Sequence, residues 1–106
     1  KGGAEVPRAP RTIYHIAGLM AAEYLTVGEA GSAKKLLDSV ASVYRRERWH
    51  RPLAATLSLL RSCSEQLQED TAHVEYSLEL ASLEGGGLSG EERYDIAEAA
   101  LASLAG

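Results

Sequence analysis

The sequence predicts an all-α fold, a tetratricopeptide-like α-solenoid segment of antiparallel helical hairpins with about five helices. Three observations carry this. Apolar residues recur at i, i+3, i+4 and i+7 through most of the chain, the spacing of helices with one buried face. The composition favours helix over strand: 45% of residues are hydrophobic, yet there is no Phe and only three prolines occur, and the apolar residues are mostly Leu and Ala. The order Ala21, Tyr24, Gly28, Ala33, Leu37, Val40 follows the spacing of a tetratricopeptide-type hairpin, with small residues where two helices must approach closely.

Residues 1–11 hold Gly2, Gly3, Pro7 and Pro10 with basic residues and almost nothing apolar. They read as a flexible N-terminal segment ahead of a helical-hairpin domain over 12–84. Thr12 is an acceptable N-cap for the first helix. Its stripe is Ile13, Ile16, Ala17, Met20, Ala21, Tyr24 and Leu25. Between Val27 and Ser32, Gly28 and Gly31 can adopt positive φ and end the helix. A second helix is expected from about Ser32 to Arg48, burying Ala33, Leu36, Leu37, Val40, Val43 and Tyr44. Lys34, Lys35, Asp38, Arg45 and Arg46 occupy its other side.

Arg45, Arg46, Arg48 and Arg51 surround Trp49 at the end of this helix. Basic residues there suit the negative end of the helix dipole, and Trp49 continues the stripe into the gap before the next hairpin. The competing reading, a cationic and aromatic patch that grips an acidic partner or a phosphate, is the less economical one.

Pro52 fits the first turn of a third helix, with Leu53, Thr56, Leu57, Leu60, Cys63, Ser64 and Leu67 as its stripe and an end near Gln68. Asp70 is a plausible N-cap for a fourth, Thr71 to Glu84. This one carries two stripes, Ala72, Tyr76, Leu80 and Leu83 beside Val74, Leu78 and Ala81. A faint repeat connects the hairpins: Tyr24, Gly28, Ala33 and Leu37 recur as Cys63, Leu67, Ala72 and Tyr76, 39 positions on. Residues 85–88 form a Gly-rich loop. Ser89 and Glu92 then make an S-x-x-E capping box, opening a C-terminal capping helix over 89–106. Its inner side is read as Tyr94, Ala97, Ala100, Leu101 and Leu104, with Ile96 beside them.

Several function classes are disfavoured. A net charge of −4 argues against nucleic-acid binding, which needs a basic surface to displace counterions. No apolar run approaches the ~20 residues that span a bilayer. The lone Cys63 cannot form an internal disulfide, which points to a reducing, cytosolic compartment. Mid-helix and without a neighbouring base, it reads as a small buried hydrophobe and not a nucleophile. His15 lacks the second His, Cys or Asp that metal spacing requires. Gly85 to Gly87 lacks the residues of a phosphate-binding loop, and Glu91 and Glu92 read as capping or solvated charges. No catalytic residue, metal or cofactor is expected, so the chain is not read as an enzyme. Lys1 at the start and the abrupt end at Gly106 suggest a piece of a longer chain.

The combination Ala22-Glu23-Tyr24, Ala33-Lys34-Lys35-Leu36-Leu37-Asp38, Tyr44-Arg45-Arg46-Glu47-Arg48-Trp49 and Tyr76-Ser77-Leu78-Glu79-Leu80 resembles the foie gras domain. That domain occurs in subunit 11 of the trafficking protein particle (TRAPP) complex. The resemblance spans roughly Ile13 to Leu83. It implies a non-catalytic scaffold within a vesicle-tethering complex of endoplasmic-reticulum-to-Golgi and Golgi traffic, cytoplasmic and peripheral at the Golgi or the intermediate compartment. The implied partners are other TRAPP subunits, with a Rab GTPase and the membrane surface reached only through the complex. Nucleotide exchange in such complexes lies in other, small subunits. What carries over is structural: Tyr24 and Ala33 within the first hairpin, Tyr44 and Trp49 between hairpins, and Tyr76, Leu78 and Leu80 in the core of the second. Arg45 and Arg46 are candidates for contact with a partner subunit.

The alternative is a tetratricopeptide-like peptide- or protein-binding module of another cytosolic assembly. A peptide clamp would present several Lys, Arg and Asn residues on the inner face of its first helices. The inner face here is mostly Ala, Leu and His, which counts against that reading.

Overall fold

The computed structural model describes residues 10–105, which form five helices and, among the described residues, no strand. They are α1 (Arg11–Thr26), α2 (Ala30–Glu47), α3 (His50–Leu67), α4 (Asp70–Ser82) and α5 (Gly90–Ala105). Each packs on the helix before and after it, and α1 also meets α3 slightly. The result is an elongated stack with extents of 53 × 31 × 20 Å. The all-α hairpin architecture is therefore as the periodicity predicts. Most of the flexible segment expected over 1–11 lies outside the described residues; Arg11 itself is already helical.

Short connections force successive helices to run antiparallel, and three of the reversals use one device. Gly28, Arg48 and Gln68 adopt positive φ, at 83°, 58° and 58°. At each, two backbone amides reach back to the last turn of the finished helix. Gly28 N donates to Leu25 O and Glu29 N to Tyr24 O; Arg48 N donates to Arg45 O and Trp49 N to Tyr44 O; Gln68 N donates to Glu65 O and Glu69 N to Ser64 O. This is the Schellman motif, which satisfies carbonyls that would otherwise be orphaned. Glycine enters it freely, whereas a side chain costs about 1 kcal/mol.

These turns correct several sequence expectations. Gly31 is helical and α2 begins before it, at Ala30. Arg48 ends α2 in left-handed backbone instead of extending it. α3 begins at His50, ahead of Pro52. Thr12 and Asp70 are not caps: the N-caps are Pro10, two residues before Thr12, and Glu69, one before Asp70, with no side-chain cap bond at either. The capping box of α5 is as read, with Ser89 N donating to Glu92 Oε1 (2.8 Å) and Glu92 N to Ser89 Oγ (3.0 Å).

The core runs through the middle of the stack. Leu37 from α2, Leu57, Leu60 and Cys63 from α3, and Leu80 from α4 are its largest fully buried apolar side chains. Ala21 and Ala33 are both fully buried, so the small residues do sit where α1 and α2 meet. α3 buries all of its expected stripe except Leu67.

The two end helices depart from expectation. α1 turns Tyr14, Ala17, Ala21 and Leu25 toward the core. Ile13 (53% exposed), Ile16, Met20 and Tyr24 stay at the surface with Leu19 and Val27. The helix is apolar nearly all round, and close packing of Ala21 selects the phase. α5 buries only Ala100, while Tyr94 (65% exposed), Leu101 and Leu104 face outward. In α4, Leu78 is half-buried outside the central cluster and Ser77 takes the buried position.

Because Gln68 holds left-handed backbone with a side chain, Gln68→Gly is expected to stabilise the fold by up to ~1 kcal/mol, read as a higher urea midpoint with unchanged slope.

Candidate functional site

No cluster of His, Cys, Asp or Glu able to hold a metal ion exists among the described residues. Cys63 is fully buried, and burial pushes its thiol pKa up, which keeps it protonated and unreactive. The surfaces that distinguish this chain are instead an aromatic corner, a polar bridge and an open groove.

The corner forms where α1, α2 and the start of α3 converge. Tyr44 is buried at the end of α2. Its ring centroid lies 5.8 Å from that of Trp49 and 6.1 Å from that of Tyr14, and Tyr14 and Trp49 are 6.4 Å apart. These separations suit edge-on and tilted packing of aromatic rings. The Arg11 guanidinium covers the Trp49 ring at 3.9 Å, a cation–π contact. Trp49 is half-buried.

The polar bridge joins α2 to α4, two helices that do not approach through their backbones. Lys34 Nζ meets Glu69 Oε1 at 2.7 Å, and the Tyr76 hydroxyl donates to Asp38 Oδ1 at 2.8 Å. Arg45 grips Glu79 with Nε to Oε2 at 2.6 Å and Nη2 to Oε1 at 2.9 Å. Partly exposed pairs of this kind contribute ~0–1 kcal/mol each, the bidentate arginine most. Behind them Arg61 Nε donates to the buried Ser77 hydroxyl at 2.8 Å. Burial raises the Tyr76 pKa above the usual tyrosine range, and its bond to Asp38 adds to the rise; burial also raises that of Tyr44.

The structure thus separates residues that the sequence grouped. Arg45 is committed to Glu79 within the chain, while Arg46, Arg48 and Arg51 are exposed. Tyr24 lies on the exposed face of α1, beside a concavity it shares with Met20, Glu23 and Val27. Ala33 and Leu80 are core, Tyr76 packs against the core, and Leu78 stands outside it.

Sequence reasoning missed the groove between α1 and α3. It holds about 210 Å³ and is lined mainly by Tyr14, Gly18, Leu19 and Ala22 on one side and Pro52, Ala55 and Leu59 on the other. Small residues at Gly18, Ala22 and Ala55 were the signal that could have located it.

No helix of the described chain is long and apolar enough to cross a membrane. A family model described as "Foie gras liver health family 1" matches residues 5–83, the stretch through α4. No curated protein and no solved structure matches the chain.

The raised tyrosine pKa values set a direction for pH dependence. Below about pH 10 both folded and unfolded chains hold the proton and the full contribution is present. Above it the unfolded chain loses the proton first, so stability falls as pH rises. Tyr76→Phe is expected to cost about 1 kcal/mol at neutral pH through the lost bond to Asp38. It is also expected to flatten the alkaline fall, measured by urea unfolding between pH ~9 and ~11.

Proposed function

The chain belongs to the foie gras liver health family 1, and from that premise we propose that it is a non-catalytic scaffold segment of a TRAPP-type vesicle-tethering complex. In this reading it acts in endoplasmic-reticulum-to-Golgi and Golgi traffic, cytoplasmic and peripheral to those membranes. It contacts other TRAPP subunits and reaches a Rab GTPase and the membrane surface only through them.

The observation that carries the reading beyond family membership is the apolar face of α1. Ile13, Ile16, Met20, Tyr24 and Val27 line one side of the helix and all are exposed. An exposed apolar stripe of this length on a stacked-hairpin body suits a surface that is covered in an assembly. Exposed Arg46 and Arg48, at the end of α2 and so beside the start of α1, offer charge for partner choice, more than for affinity.

Affinity purification of the parent protein from its own cells tests the assignment. Small TRAPP core subunits together with a Rab GTPase are expected to co-purify. Recovery of a chaperone or a soluble peptide ligand without those subunits overturns it. The non-catalytic part has its own test. Cys63→Ala is expected to leave nucleotide exchange by the purified complex unchanged; a large loss with folding intact would restore an enzymatic reading.

A further inference from the structure

Gly18 occupies the middle of α1, where glycine costs about 1 kcal/mol of helix stability relative to alanine. Nothing in the fold requires it. Its φ is not positive, and a Cβ built on it meets no atom within 4 Å. What the missing side chain does is keep the α1–α3 groove open, since Gly18 is part of its wall.

The groove is mainly apolar, with His15 and Thr56 among its lining and no carboxylate. At ~10 Å across, a helix is too wide for a trough of this size, whereas an extended strand can lower one or two side chains into it. Its charge is set at one end. There α1 and α3 both begin, with the positive ends of their dipoles. Arg11 stands over Trp49 beside the lining residues Tyr14 and Tyr44. Arg51 is exposed but is not part of this end: its guanidinium lies against Gly87 in the loop after α4. Three other arginines are held, Arg45 by Glu79, Arg61 by Ser77 and Arg93 by the Ala81 carbonyl, while Arg46 and Arg48 are exposed. Arg11 forms no ion pair among the described residues.

We propose that the α1–α3 groove seats an extended segment of a partner protein, its apolar side chains beside Gly18 and its carboxylates at Arg11. This rests on the interaction reading above and adds the chemistry of one partner segment. The contact is short and partly electrostatic, so it is weak on its own and salt-sensitive.

The test uses the complete chain and three fluorescein-labelled peptides: leucines followed by glutamates, leucines followed by lysines, and glutamates alone. Fluorescence anisotropy is expected to rank the leucine–glutamate peptide at least ~10-fold tighter than either other. Moderate salt is expected to weaken it several-fold. Gly18→Leu fills the trough from a position with open space around it. It is expected to lower affinity at least ~10-fold while the thermal midpoint holds or rises. Arg11→Gln is expected to lose several-fold, with the salt dependence reduced.

Equal binding of the lysine peptide, or Gly18→Leu binding as tightly as the parent chain, overturns the proposal. Should the groove fail while TRAPP subunits still co-purify with the Gly18→Leu protein, the scaffold reading stands and only the groove assignment falls. Should the peptide bind as expected while no TRAPP subunit is recovered, the groove stands without the tether.

Discussion

Everything in this molecule depends on a chain reversal repeated at a constant interval. Gly28, Arg48 and Gln68 place a left-handed residue at matching points of three successive connections, each closed by the same pair of backbone bonds. The bonds finish one helix and direct the next back along it, leaving it little choice of orientation. Amphipathic faces are thereby brought together before any long-range contact is needed. Leu37, Leu57, Leu60 and Leu80, from three different helices, then complete one cluster. The interval breaks after α4, where a longer loop takes over. Gly85 and Gly87 adopt positive φ, and Gly86 sits so close to Ala54 that a Cβ would lie 3.1 Å from the alanine methyl. The capping box of Ser89 and Glu92 restarts the helix.

How far the sequence revealed the fold depended on how sharply each helix divides polar from apolar. α3 has one apolar side and one polar side, and its buried residues could be read almost without error. α1 carries Ile, Leu, Met, Tyr or Ala in nearly every direction, so periodicity identified a helix but left its rotation open. The approach of α2 decided it, because Ala21 permits the close contact that Met20 or Ile16 would block. α5 presents the same ambiguity from the opposite direction: its alanines are small enough to pack, and its larger residues were mistaken for its inner side. The turns at Arg48 and Gln68 had no signature, since neither residue type announces left-handed backbone. The family resemblance and the helical-hairpin class were legible because they rest on order and spacing, which survive such local errors.

The polar features show the complementary limit. Arg45 belongs to a run of basic residues, and from the sequence nothing separates it from Arg46. Its partner Glu79 lies on α4, brought near only when α3 has been folded between them. The same is true of Tyr76 with Asp38 and of Lys34 with Glu69. Once those pairs are placed, the apparent basic cluster divides into one arginine that fixes the stack and others free at its surface. The groove was hidden for a related reason: it lies between two helices that are not neighbours in the chain, and no single helix carries its shape.

Helices in this stack touch mainly their chain neighbours, with the α1–α3 contact a small exception. Such an arrangement behaves as a linear array, in which each unit is held by the coupling to the next. Contacts of low sequence separation favour rapid folding, and opening proceeds from the ends inward rather than all at once. α5 leans on α4 alone and α1 chiefly on α2, so backbone amides at the two ends exchange with solvent well ahead of those in α3. A segment lying between α1 and α3 would add a second tie across the array. It would turn the end most prone to fraying into part of its cooperative centre.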